Sequence, residues 1–195
     1  MRVKRLMEML DQGSKGLAIL GGWPVLGLSV LIGVDVVGRK LFNLSVQGSD
    51  EIGGYVMAVA CAFGFSYGLA KRSHIRLNLI LPHMPAAFQA FANVVAHVVL
   101  ALFSYLMLWQ TVDMLVESIR LKAVAPTPLQ TPLAIPQSLC VVGMLYFALH
   151  TTLYIVRGAG LLLAGHMAEF NTLFGVETAE KEAKTELQET QVVVR

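Results

Sequence analysis

The run from Gly16 to Val34, GLAILGGWPVLGLSVLIGV, is 19 residues long and carries no charged side chain. As a helix rising 1.5 Å per residue it would cover about 28 Å, close to the roughly 30 Å of hydrocarbon in a bilayer. Lys15 and Asp35 bound it, so it reads as a membrane span. Three further runs read the same way. Another 19 uncharged residues lie between Glu51 and Lys71. The chain is again uncharged from Leu77 to Val112, but Pro82 and Pro85 make its first residues a poor helix interior, so that span starts near Ala86. From Ala123 to Val156 the prolines at 126, 128, 132 and 136 push the helix start to about Leu133. The expectation is an all-α integral membrane protein with four transmembrane helices, at 16–37, 52–70, 86–112 and 133–156. The third exceeds what a bilayer requires, so tilt or protrusion on the outer side is expected.

Composition supports this reading. Hydrophobic residues make up 55% of the 195 and charged residues 14%, whereas a soluble domain carries roughly a quarter charged residues. Mean hydropathy is +0.63. Of the 28 charged side chains, nine fall in the last 27 residues, leaving the remainder more apolar still. A soluble enzyme, a nucleic-acid binder and a disordered chain all fit poorly. A cleaved leader fits poorly too: the first run exceeds the usual 7–15-residue apolar region, and no small-x-small cleavage pattern follows it.

Short loops carry the orientation signal. With the N-terminus inside, the inner flanks receive Arg2, Lys4, Arg5, Lys15, Lys71, Arg72, Arg76 and Arg157, and the outer flanks Arg39, Lys40, Arg120 and Lys122. Eight against four favours both termini inside. The remaining segments follow. Residues 1–15, with Val3, Leu6, Met7 and Leu10 at helical spacing among basic residues, read either as an interfacial helix or as the start of a longer first helix. Residues 38–51 form an outer loop and 71–85 an inner interfacial connector. Residues 113–132 continue the third helix and enter a stiff proline-rich outer loop. Residues 157–195 continue the fourth helix along the inner surface and end in a solvated tail.

Residues with chemical potential are few. Cys61 and Cys140 lie inside spans with no C-x-x-C pattern, and free cysteine packs as a small hydrophobe. His97 and His150 raise the question of haem, since two helical histidines can ligate iron. Counted from the inner side they sit at depths of about 16 and 9 Å, a poor match for a bis-histidine pair; neutral histidines bonded across helices are the plainer reading. Acids within a membrane usually mark ion or substrate routes. Here Asp35 closes the first span one turn before Arg39, a favourable i,i+4 pairing. Asp50 and Glu51 open the second span after Ser49, an expected N-cap, where negative charge meets the helix dipole. Arg39 is expected to pair with Asp35, or across the outer loop with Asp50 or Glu51. The sequence offers no carboxylate in mid-membrane to carry protons or sodium. In the second span, Gly64-x-x-x-Gly68 forms one small-residue row, and Ala58, Ala62, Ser66 and Ala70 form another. Such rows let helices approach closely, inside the chain or against an external partner.

In order and spacing, several stretches resemble one family. They are Gly38-Arg39-Lys40-Leu41-Phe42, Gly48-Ser49-Asp50-Glu51-Ile52, Ala62-Phe63-Gly64, and Gly68-Leu69-Ala70-Lys71-Arg72-Ser73-His74-Ile75-Arg76-Leu77 with Leu81-Pro82. Together with Ile135-Pro136 before the last helix, they resemble the small DctQ-type membrane subunits of tripartite ATP-independent periplasmic (TRAP) transporters. The match is strongest over residues 35–82. Many members carry an aromatic just before the acidic pair, where this chain has Gly48. The resemblance implies structural or partner-contact roles for Asp35, Arg39, Asp50, Glu51, Gly64, Gly68, His74 and Pro136, with no catalytic, cofactor or metal-binding residue in this chain. It also implies two protein partners in a bacterial inner membrane, a large permease subunit that carries the sodium and a periplasmic substrate-binding protein that delivers an organic acid. The small subunit would then be a non-catalytic brace for sodium symport, with no nucleic-acid partner. Two other readings compete: a haem- or quinone-linked oxidoreductase anchor, resting on His97 and His150, and a stand-alone small transporter, which would place a glutamate within its first helix.

Overall fold

The computed structural model describes residues 2–71, 85–165 and 170, and among these the regular structure is helical. Four helices follow in order: α1 (Arg2–Phe42), α2 (Ser49–Ala70), α3 (Ala86–Leu121) and α4 (Ala134–Leu163). Each is long and apolar enough to cross a membrane. The chain divides into two compact units, one made of Met1–His74 with Val98–Tyr154 and the other of Ile75–His97 with Ile155–Arg195. Of the expected connector at 71–85, residues 72–84, with His74 and His83, lie outside the described residues, as do His166 and the tail from 171 onward.

In the first unit, α1 is one helix of 41 residues, Arg2–Phe42, that runs through residues 2–15 ahead of its expected span. Its buried positions are Met7, Ser14, Gly21, Leu28 and Asp35, spaced seven residues apart. That is the repeat of a straight contact stripe along a helix slightly underwound to 3.5 residues per turn. The stripe meets α2 in antiparallel register. A side chain at Gly21 would lie 3.1 Å from the Ala60 backbone, and one at Gly53 would lie 3.7 Å from Leu28. Gly21 is thus what lets the two helices come within backbone distance. Outside the stripe, Leu20, Trp23, Leu26, Val30, Val34, Val37 and Leu41 are exposed apolar residues, suited to lipid or to another membrane helix.

Helix α2 comes within backbone distance of α4 at Gly143, where an added Cβ would sit 2.8 Å from the Ala62 carbonyl carbon. Phe147 and Tyr154 continue the buried face of α4. Residues 98–121 of α3 are tied to α4 by hydroxyl pairs, Ser104 to Thr151 at 3.0 Å and Tyr105 to Thr152 at 2.7 Å. In membrane helices such hydroxyl contacts and small residues do much of the work that hydrophobic exclusion does in water.

The helix ends explain two departures from expectation. The α2 N-cap is Gly48, at φ 83°, with no side-chain cap hydrogen bond, and Ser49 is already the first helical residue. The Ser49 hydroxyl is drawn instead toward Asp35, so the expected Ser49 cap is not formed. The left-handed backbone at Gly48 also accounts for the missing aromatic, because any side chain there would be strained and would overlap Leu129. Further on, α3 ends with Lys122 at φ 48° and a Schellman-type bond from the Ala123 amide to the Ser118 carbonyl. The chain then doubles back through a bridge between Val124 and Pro132. The proline-rich stretch is therefore a closed loop, and α4 begins at Ala134, two residues before Pro136. Proline is tolerated in a first turn, where amides lack partners in the helix.

In the second unit, α3 residues up to His97 carry buried Asn93 and His97, and Phe170 is buried.

Candidate functional site

Asp35 occupies the last position of the buried stripe on α1 and is 1% exposed. Its carboxylate gathers four donors. Arg39, one turn later, pairs with Oδ2. The Val46 amide donates to Oδ1 at 2.6 Å, the Ser45 hydroxyl at 3.2 Å, and the Ser49 hydroxyl reaches Oδ2 at 3.5 Å. Arg39 is itself more than half exposed, so its charge stays hydrated while Asp35 fastens the α1–α2 loop. Charge-assisted hydrogen bonds of this type are stronger than neutral ones. Of the partners expected for Arg39, Asp35 is the one the structure provides.

The acidic pair divides its work. Asp50 is exposed in the first turn of α2, where it faces the positive end of the helix dipole. Glu51 accepts from the Tyr55 hydroxyl at 2.9 Å, and from the hydroxyls of Thr127 and Thr131 in the loop before α4. Each of these two loops of the first unit is thus organised around one carboxylate: Asp35 for 45–49 and Glu51 for 127–131.

The two small-residue rows on α2 have different fates. Ala62 and Ser66 are buried: Ala62 against Gly143, and Ser66 in a hydrogen bond to His150. A Cβ added at Gly64 or Gly68 would meet nothing within 4 Å. Two residues along a helix is a rotation of about 200°, which is why these glycines lie away from the seam that Ala62 and Ser66 build. Packing of α2 against α4 therefore uses Ala62 and Ser66 of the second row, and the GxxxG row is left open among the described residues.

His150 is fully buried. Its Nδ1 lies 2.8 Å from the Ser66 hydroxyl and its Nε2 lies 3.0 Å from Oδ1 of Asp11. Three helices meet at this imidazole, and both of its nitrogens are engaged, so the arrangement offers none to an iron. This is the cross-helix histidine the sequence suggested. His97 bonds within its own helix, Nδ1 to the Asn93 carbonyl at 2.8 Å. Cys61 is exposed and Cys140 half-buried, both as free thiols. Pro136 is buried in the first turn of α4. What these groups do together is hold helices and loops in register.

The family model of tripartite ATP-independent periplasmic transporters, DctQ component, matches residues 28–160. The chain belongs to this family. No curated protein and no solved structure matches it. The matched range of this DctQ chain holds Asp35, Arg39, Asp50, Glu51, Gly64, Gly68 and Pro136, so both carboxylate clusters and the open glycine row lie within the family's common part. The chain is accordingly a transporter component, the small membrane subunit of a TRAP system, and a multi-pass membrane protein. The sequence reading missed the reach of Asp35 to Val46 and Ser49, and it missed Asp11 altogether. The seven-residue spacing of Met7, Ser14, Gly21, Leu28 and Asp35 was present in the sequence. These five residue types share no polarity, however, so no hydropathy pattern marks the stripe.

Proposed function

We propose that this DctQ chain is the non-catalytic small subunit of a sodium-coupled TRAP transporter for an organic acid, in a bacterial inner membrane with both termini inside. In this reading it braces a large permease subunit, which carries sodium and substrate, while its outer loops help dock a periplasmic binding protein. The observation that carries the reading is the open glycine row. Gly64 and Gly68 project no side chain, and among the described residues nothing lies within 4 Å of where a Cβ would stand, which suits the close approach of a helix from a partner. The two carboxylate-pinned outer loops support docking, since a fixed surface loses less conformational entropy on binding than a mobile one. The sequence between the charged ends of the spans also lacks the mid-membrane carboxylates that an ion carrier uses.

The test is co-purification. Gly64→Leu should lower the amount of large subunit recovered with this chain while the chain itself still inserts and folds. Substrate affinity of the isolated binding protein should not change. Full recovery of the large subunit with Gly64→Leu and Gly68→Leu together would remove α2 as the contact.

A further inference from the structure

We propose that residues 2–20 of α1 form a hinged strap, clasped to the rest of the first unit by Asp11 and His150. Three separate observations lead there. First, the strap is thinly packed. Between Arg5 and Leu20 only Met7 and Ser14 are buried, while Leu6, Met9, Gly13, Ile19 and Leu20 are exposed. Second, its polar attachments to other helices concentrate at one place. The carboxylate of Asp11 meets Nε2 of His150 at 3.0 Å, and one residue earlier the Leu10 carbonyl accepts the Tyr146 hydroxyl at 2.8 Å. Gly13 faces the same hydroxyl, with no room for a Cβ. Behind the imidazole, Ser66 of α2 holds Nδ1. Third, the helix is weakened directly above the clasp. Gly21, Gly22 and Pro24 fall within four residues. Pro24 has no amide to give the Leu20 carbonyl, and glycines are poor helix formers. Sharp helix bends occur at such sites. Beyond them α1 is anchored again, by Leu28 against Gly53 and by Asp35 at the outer loop.

The clasp has a definite chemistry. With neutral imidazole, Nε2–H donates to the Asp11 carboxylate and Nδ1 accepts from the Ser66 hydroxyl. The aqueous side of the contact is Asp11, whose side chain is 41% exposed, while His150 is sealed. Releasing the clasp removes one charge-assisted bond and leaves the buried imidazole without its partner. The hinge then lets residues 2–20 part from α4 while residues 25–42 stay in place. Such a strap gives a subunit with a fixed outer half a separable inner half, available to respond to a change at that membrane face.

Hydrogen exchange on the full chain in lipid nanodiscs tests this. Asp11→Asn keeps the volume of the side chain and lies on the half-exposed side of the contact; His150→Leu removes the imidazole. His150→Leu should speed exchange of amides 5–20 by roughly 10- to 100-fold, the loss of one charge-assisted hydrogen bond, and Asp11→Asn, which keeps an acceptor oxygen but not its charge, by roughly 5- to 10-fold; both should leave amides 25–41 unchanged. Pro24→Ala restores the missing helix donor, so in the Asp11→Asn background it should return protection toward the native level. If His150→Leu does not insert stably, Asp11→Asn decides alone. Unchanged exchange in Asp11→Asn, acceleration spread evenly along all of α1, or no effect of Pro24→Ala would each overturn the strap.

Discussion

Two glycine substitutions separate the inner seam of this subunit from its outer face, and both consist of one added methyl group. At Gly143 a Cβ would lie 2.8 Å from the carbonyl carbon of Ala62, 2.9 Å from its Cβ and 2.9 Å from its carbonyl oxygen. Unbonded carbons rest at about 3.5–4.0 Å, so α2 and α4 would have to separate by roughly 0.7–1 Å. Two of the three clashing atoms belong to a helix backbone, which cannot turn aside as a side chain can. Overpacking of this kind costs about 1–3 kcal/mol, a factor of about 5 to 150 in the folding equilibrium. It should also lengthen the Ser66–His150 hydrogen bond, one turn deeper in the same seam. At Gly64 the same methyl meets nothing within 4 Å, and alanine is the better helix former by just under 1 kcal/mol. Gly64→Ala should therefore leave the isolated chain as stable as before, or slightly more so. The assay is reversible denaturation of the purified chain in mixed micelles, followed by circular dichroism, alongside recovery with the large subunit. Gly143→Ala should shift the unfolding midpoint downward and Gly64→Ala should not, while Gly64→Ala should lower partner recovery. Equal destabilisation by the two variants would refute the assignment of Ala62 and Gly143 to the seam and of Gly64 to the open face.

Further outcomes follow from the same geometry. With both termini inside, an alkaline phosphatase fusion at Arg195 should be inactive and one at Thr127 active; the opposite pattern would reverse the proposed orientation. Asp35→Ala removes the acceptor shared by Arg39, Val46, Ser45 and Ser49, so limited proteolysis from the outer side should cut within residues 43–48 faster than in the native chain, with α2 and α4 otherwise intact. Arg39→Ala leaves the other three donors on Asp35, and should have a smaller effect in that assay and a moderate one on partner recovery. His97→Ala and Cys61→Ala should retain most uptake, because neither is assigned a chemical role; loss of uptake in His97→Ala with assembly intact would contradict that.

Much of the architecture could be read from charge alone. Uncharged runs of span length gave four helices, and all four are present, because burying backbone in hydrocarbon forces the helix and forbids most charges. Their ends were less legible. Residues 1–15 read equally as an interfacial helix or as the start of a longer first helix, and α1, from Arg2 to Phe42, takes the second form, since a helix can carry charged turns beyond its apolar run when partners such as His150 and Arg39 hold them. Ser49 has the right residue type and place for an N-cap, but the Asp35 carboxylate, fourteen residues earlier, competes for its hydroxyl. That competition is a tertiary fact with no local signature. The same holds for the glycines of α2. Spacing shows that Gly64 and Gly68 share a face, and only the position of α4 shows that this face is not the one against Gly143. Of the site residues drawn from the family resemblance, Asp35, Arg39 and Glu51 have clear contacts, Asp50 is exposed, and Pro136 lies in the first turn of α4.

As a brace, this DctQ chain should be required for transport without handling the substrate. Sodium-driven uptake into vesicles addresses it most directly, using the large subunit and the binding protein with its radiolabelled organic acid, in the presence and absence of this chain. The account predicts that uptake falls to background without the chain and returns when the chain is co-reconstituted, with the binding protein's affinity for the acid the same throughout. Full-rate uptake by the large subunit and binding protein alone would contradict it.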